Sequence, residues 1–159
     1  MKLDQIDQKI LKYLQENARI TNAELADKVG LSPTPCLRRL RRLESEGVIK
    51  GYHTEINREA LGVNVTVIIL VKLEREDDTT LREFENAIKK RPEVMECYLV
   101  TGKFDYFIRV VIPTLAAYET FLSETILRMP KVATVESSFT LREVERKVVT
   151  PLPASAFRG

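Results

Sequence analysis

Two short helical segments separated by a glycine joint set the tightest limit on how the first third of this chain can fold. Thr21-Asn22-Ala23-Glu24 carries the residue types of a capping box, in which the threonine hydroxyl and the glutamate three positions on satisfy each other's backbone amides. The helix it opens turns Leu25, Ala26 and Val29 to one side and stops at Gly30, the residue best suited to the left-handed conformation that ends a helix. Ser32-Pro33-Thr34-Pro35 then starts another helix, because a hydroxyl residue caps and proline suits the first helical position. This one runs to about Glu46 and ends at Gly47. An earlier helix precedes the pair: Asp4 caps it, and Ile6, Ile10, Leu11 and Leu14 share one face before it fades near Asn17. Two helices joined by about four residues with a glycine follow the helix-turn-helix plan.

The formal net charge of +2 conceals where the cations lie. Residues 1–53 hold 10 Lys/Arg against 7 Asp/Glu, whereas residues 54–159 hold 15 against 16. Arg38, Arg39, Arg41 and Arg42 all fall on the third helix, and Lys50 follows it. At about 100° per residue with Leu37 at zero, Cys36, Leu40 and Leu43 form an apolar arc near 240–300°, while Arg41, Arg38, Arg42 and Arg39 lie near 40°, 100°, 140° and 200°. The apolar arc packs on the first two helices and all four arginines face outward. A helix that enters the DNA major groove needs this division, since guanidinium groups fork onto guanine or clamp phosphate while the buried face fixes the approach. Ser32 and Thr34, at the helix N-terminus, are placed to donate to phosphate. A solvated charged helix is the alternative. Against it, like charges crowd together, with only Glu44 and Glu46 near enough to relieve them.

From Val48 the pattern changes. Val48–His53 reads as a short hairpin or wing, and residues 54–62 as a linker ending at Gly62. Val63–Val71 is a β-branched run with Val63, Val65, Val67, Ile69 and Val71 on one side and Ile68 and Leu70 on the other. Helices cover only one face of such a strand, so the second calls for a partner sheet. Thr79–Arg91 reads as a helix, Val94–Val100 and Tyr106–Ile112 as strands, Leu115–Met129 as a helix, and Val132 to about Val144 as a last strand. The order β-α-β-β-α-β is the ferredoxin-like split arrangement. The fold class is therefore α+β, with a helix-turn-helix domain over 1–53, a linker over 54–62, a second domain over 63–146 and a tail over 147–159. The tail has no periodicity and is expected to be loose.

The turn Thr101-Gly102-Lys103-Phe104-Asp105 admits two readings. Gly102 lets backbone approach a ligand, the amides after it could cradle a carboxylate, Asp105 could take an ammonium group, and Leu99 with Phe104 could form an apolar wall. Equally, Gly102 supplies the positive φ of a hairpin turn and Asp105 caps local amides. Catalytic constellations are missing from the sequence. His53 is the only histidine, so no histidine-based triad or multi-histidine zinc site exists, and no phosphate-binding glycine loop occurs. Cys36 and Cys97 suit packing rather than a disulfide framework. No apolar run approaches the roughly 20 residues needed to span a bilayer, and acids stand where a secretion signal would have its apolar core. The chain is expected to be a cytoplasmic, non-enzymatic protein without metal or cofactor.

The string Val29-Gly30-Leu31-Ser32-Pro33-Thr34-Pro35-Cys36 with Arg39, Arg42 and Leu43-Glu44, the opening Leu3-Asp4-Gln5-Ile6-Asp7, and Gly47-Val48-Ile49-Lys50-Gly51-Tyr52 resemble the Lrp/AsnC family of feast/famine regulators, the leucine-responsive type in particular. Glu96-Cys97 and Gly102-Lys103-Phe104-Asp105-Tyr106 are similar to the signature loop of that family's effector domain. The resemblance implies a winged helix-turn-helix joined to a ferredoxin-like domain, duplex DNA as partner, and homodimers that pair sheet to sheet and assemble into octamers or related rings. It also implies an amino-acid effector (leucine, methionine or another apolar one) bound between dimers. By position Leu99, Thr101, Gly102, Phe104, Asp105 and Tyr106 match the effector loop, and Leu115, Ser138, Phe139 and Thr140 match positions tied to the effector response. Two other readings stand beside it. An RNA-binding protein would use the ferredoxin-like sheet, but the middle strands lack the paired-aromatic string. A ligand-sensing regulatory subunit of an enzyme would leave the arginine helix without a role.

Overall fold

The computed structural model describes residues 2–75, 77–129 and 131–157. They form two compact units, Met1–Glu55 with Glu145–Gly159, and Ile56–Val144. Among the described residues no helix is long and apolar enough to cross a membrane.

The first unit holds α1 (Gln5–Glu16), α2 (Asn22–Val29) and α3 (Pro33–Ser45). Their ends are where local chemistry put them. The Asp4 carboxylate accepts from the Asp7 amide at 2.9 Å and the Asp7 carboxylate accepts from the Asp4 amide at 3.1 Å, closing a capping box on α1. Thr21 and Glu24 close the expected box on α2. Gly30, at φ 75°, ends α2 with the Leu31 amide donating to the Ala26 carbonyl. Ile10, Leu11, Leu14, Leu25, Ala26, Val29, Cys36 and Leu43 make the core.

Two expectations fail in this unit. Val48–His53 is not a hairpin: the Val48 and Ile49 amides both donate to the Leu43 carbonyl, and residues 50–57 form no ladder. An isolated two-stranded hairpin has too little to bury to stand alone. Nor is the C-terminal tail loose. Phe157 inserts into the core beside α1, and Leu152 packs against it.

The second unit is a four-stranded antiparallel sheet in the order β2-β3-β1-β4, with β1 (Val65–Leu73), β2 (Val94–Leu99), β3 (Tyr106–Ile112) and β4 (Val132–Phe139). Helix α4 (Asp78–Ile88) and helix α5 (Leu115–Phe121), prolonged by a π-helical turn over Leu122–Ile126, cover one face. That face carries Val67, Ile69, Val71 and Leu73 of β1 and Tyr106, Ile108, Val110 and Ile112 of β3, all buried. Strand alternation sends Ile68, opposite Arg109, and Leu70, opposite Phe107, to the other face, away from α4 and α5. Elements end earlier than the residue pattern suggested. Pro92 disfavours helical backbone at Arg91, and α4 stops at Ile88. Strand β4 stops at Phe139, opposite Val67, and the Thr140 amide, donating to the Thr66 carbonyl at 2.9 Å, follows it with one more bond to β1.

Candidate nucleic-acid interface and ligand site

Helix α3 does not present its arginines alike. Arg39 reaches α1, donating to the Asp4 carboxylate at 2.7 Å and the Asp7 carboxylate at 2.9 Å. Arg42 donates to the other Asp7 oxygen at 2.6 Å. Asp7 is fully buried, so its charge depends on these two guanidinium groups and the Asp4 amide. Hydrogen bonds to Asp4 and Asp7 in turn raise the Arg39 pKa. Arg38 and Arg41 are exposed and make no ion pair with any described residue. This corrects the expectation that all four face outward together, with only Glu44 and Glu46 as counter-charges. The helical wheel holds the reason: the buried arc centres near 250°, and Arg39 and Arg42 lie nearest to it, at about 200° and 140°. The missed signal was Asp7 itself, an acid on the apolar face of α1.

What remains outward is a narrow stripe. Thr34, Arg38, Arg41 and Ser45 are spaced four, three and four residues apart and fall within about 60° of one another, all exposed. Ser32, the α3 N-cap, makes no side-chain cap bond, which leaves its hydroxyl beside the free amides of the first turn. Lys50 is exposed beyond the far end of the helix. The Asn22 side chain donates to the Pro33 carbonyl at 2.9 Å and ties α2 to the start of α3. Tyr52, donating to Glu44 at 2.8 Å, has its pKa pushed up to about 12 by burial and by that carboxylate. It stays a neutral phenol beside the basic helix.

The ten residues predicted to meet an effector do not form one site. Leu99 and Thr101–Tyr106 lie at one end of the sheet, where Tyr106 pairs with Val71; Phe139, with Ser138 and Thr140, lies where β4 pairs with Val67, and Leu115 follows the β3 residue that pairs with Val65. From Val67 to Val71 is about 13 Å along an antiparallel strand. Within the first group Gly102 holds φ 130° and is exposed, and Leu99 and Thr101 are exposed as well. Phe104, Asp105 and Tyr106 are buried. The Asp105 carboxylate accepts from the Leu73 amide and from the Lys72 ammonium, each at 2.7 Å, which makes it a tie between β1 and the loop. Tyr106 stacks on Phe84 with ring centroids 4.6 Å apart and donates to Glu85 at 3.3 Å. Aspartate and tyrosine are thus engaged inside the fold, as in the hairpin-turn reading, except that Asp105 caps a neighbouring strand rather than its own turn. In the second group Leu115 is 63% exposed, and Phe139 meets Tyr118 edge-on at 5.1 Å.

An opening of about 370 Å³ lies between α4 and β2 beside the loop, walled by Ile88, Val94, Met95, Cys97, Leu99 and Tyr106, with Glu85 and Lys89 paired at 3.2 Å. Only Leu99 and Tyr106 were expected there; the others are brought together by tertiary contact. Burial pushes the Cys97 thiol up to about 11, so it remains protonated at neutral pH.

Comparison with known proteins agrees with this geometry. Residues 3–50 match the winged helix-turn-helix DNA-binding family and residues 66–149 match the Lrp/AsnC ligand binding domain family. The leucine-responsive regulatory protein of Escherichia coli (strain K12) is 42% identical over 144 residues, covering 91% of this chain and 88% of that protein. The Bkd operon transcriptional regulator of Pseudomonas aeruginosa is 44% identical over 150 residues, 94% of this chain and 98% of that one. The crystal structure of a Neisseria meningitidis transcriptional regulator in complex with L-Met superposes with a TM-score of 0.91 at 36% identity, covering 97% of this chain and 99% of that one. A reading-head unit with one basic helix and a separate ligand-domain sheet, matched nearly end to end, places the chain in the Lrp/AsnC family of transcription regulators.

Proposed function

We propose that α3 reads duplex DNA through Thr34, Arg38 and Arg41, with Ser32 and Lys50 on the flanking phosphates, and that Arg39 and Arg42 serve DNA binding indirectly by fastening α3 to α1. The observation that carries this reading is the split of the four arginines between an exposed stripe and a buried carboxylate. Titration of duplex DNA against salt tests it. Arg38→Ala and Arg41→Ala should each cost about 1–3 kcal/mol of binding, with a salt slope shallower by about one unit where the lost contact is to phosphate. Both variants should keep the wild-type unfolding temperature, whereas Arg39→Ala and Arg42→Ala should lower it. Wild-type affinity in both Arg38→Ala and Arg41→Ala would refute the assignment.

The effector is an apolar amino acid, leucine or methionine first. Two relatives support this, one named leucine-responsive and one crystallised with L-Met. The exposed amides around Gly102 and the adjoining opening, with its apolar wall and its Glu85–Lys89 pair, offer chemistry for a carboxylate, an ammonium and an aliphatic side chain. Leu115, Ser138, Phe139 and Thr140 act from the far end of the sheet, and join the same ligand only across a contact between chains. A thermal-shift panel of the twenty amino acids checks the class: at 100 times its dissociation constant a ligand stabilises by about 2.7 kcal/mol. A response confined to charged amino acids would overturn it.

The face of the sheet opposite α4 and α5, with Ile68, Leu70 and Phe107 beside Tyr98, takes the same face of a second copy. Such dimers assemble into octamers or related rings, and the protein works in the cytoplasm. Sedimentation velocity reads the assembly directly, and Leu70→Arg should drive it toward monomer.

A further inference from the structure

The C-terminal segment lies mostly beyond the residues matched by either family, 3–50 and 66–149, yet it is built into the first unit. Three kinds of contact hold it along α1. Phe157 is 6% exposed, at the end of a 3-10 turn over Ala154–Phe157, and joins the core of Ile10, Leu11 and Leu14. Gln15 and Thr150 exchange two hydrogen bonds: the Thr150 amide donates to the glutamine oxygen at 2.5 Å, and the glutamine nitrogen donates to the Thr150 carbonyl at 3.2 Å. On the same helical face, two turns nearer the start of α1, Gln8 donates to the Leu152 carbonyl at 3.3 Å. The segment therefore runs from the C-terminal toward the N-terminal end of α1, the helix whose Asp4 and Asp7 hold Arg39 and Arg42 of α3.

The covalent path matters as much as the packing. Chain leaves the first unit once after Glu55 and returns to it at Glu145. Within the first unit Arg146 meets Glu55 at 3.5 Å, and within the second Arg58 meets Glu143 at 3.4 Å. Such exposed pairs add little stability. They do show that, in each unit, the outgoing and the returning chain lie side by side.

We propose that residues 145–157 form a strap that completes the helix-turn-helix unit, sets α1 under the recognition helix, and gives strand β4 of the ligand domain its own covalent route to α1. The proposal rests on the reading of α3 as the DNA-contacting helix only for its consequence in binding, not for the strap itself. Full-length Phe157→Ala, Phe157→Leu and Gln15→Ala variants test it by hydrogen exchange, alongside binding of a random-sequence DNA duplex at low ionic strength. Phe157→Ala should speed exchange of the α1 and α3 amides at least about tenfold while β1 and β3 amides keep their rates. Gln15→Ala, which removes two bonds and leaves the core intact, should do the same to a smaller degree, and Phe157→Leu should restore most of the protection. Exchange in α1 unchanged within about twofold in both Phe157→Ala and Gln15→Ala, or equal acceleration in β1 and β3, would overturn the strap. If the exchange pattern holds while the wild type binds no duplex, the strap stands and the DNA reading falls. If the wild type binds duplex and the α1 rates do not move, the reverse holds.

Discussion

Asp7→Ala is expected to destabilise the helix-turn-helix unit by about 3 kcal/mol, the low end for breaking a buried ion pair. The carboxylate is fully buried and receives three donors, the Asp4 amide, Arg39 and Arg42. Removing it leaves the Arg42 guanidinium, whose Nε already lacks a partner, without its counter-charge against the core. Both arginine side chains keep partial contact with water, at 26% and 39% exposure, which is why the low end applies. Thermal unfolding followed by helical circular dichroism would measure the loss, and an Asp7→Ala/Arg42→Ala double-mutant cycle should return a coupling above about 1 kcal/mol. A loss smaller than that would mean α1 and α3 are held by apolar contact alone. Acid should reach the same contact by another route. Partial burial raises the Asp4 pKa, but the Asp7 amide and the Arg39 guanidinium together bring it below the ordinary 3.8. A depressed carboxylate stabilises above its unfolded pKa and loses that contribution as pH falls through the folded one. The tie to Arg39 should therefore be complete at neutral pH and loosen only below about pH 4.

Asp105→Ala should cost the sheet unit a comparable amount, about 3 kcal/mol, with no ligand present. Its carboxylate satisfies the Leu73 amide at the end of β1, where the ladder to β3 has already ended at the Val71–Tyr106 pair, and neutralises Lys72. Alanine would leave a buried amide unpaired and take one carboxylate away from the partly exposed Lys72 ammonium. Asp105→Asn can still accept from the amide but sets a neutral group against Lys72, so a smaller loss is expected. If instead Asp105→Ala unfolds at the wild-type temperature and loses only its amino-acid response, the carboxylate serves the ligand rather than the fold.

Much of the architecture could be read from the residues. Helix starts were legible because capping is local: Asp4 and Thr21 announce themselves within four residues of the amides they serve, and Pro33 after Ser32 marks the start of α3 without a cap bond. Strand positions in the second unit followed from β-branched runs, and Tyr106–Ile112 came out at its true limits. Reading the arginine wheel gave the outward side of α3 correctly for Arg38 and Arg41. It failed for Arg39 and Arg42, because a wheel places a side chain on its own helix and says nothing of which neighbour waits beside the buried arc. The effector residues show the same limit at larger scale. The family resemblance assigned both Gly102 and Phe139 to the effector, while antiparallel pairing sent them to opposite ends of β1.

The glycine-jointed helix pair, the α+β division and the sign of the charge on α3 are properties of local sequence, since capping, periodicity and composition act over a few residues. Only the tertiary structure decided which arginines remain free, that Asp105 is a tie between strands, and that the last residues belong to the first unit. Each of those outcomes depends on groups 32 to 144 positions apart in the chain, Asp7 with Arg39, Asp105 with Leu73, Gln8 with Leu152. Contacts at such separation are set by packing of whole elements, which no window along the sequence contains.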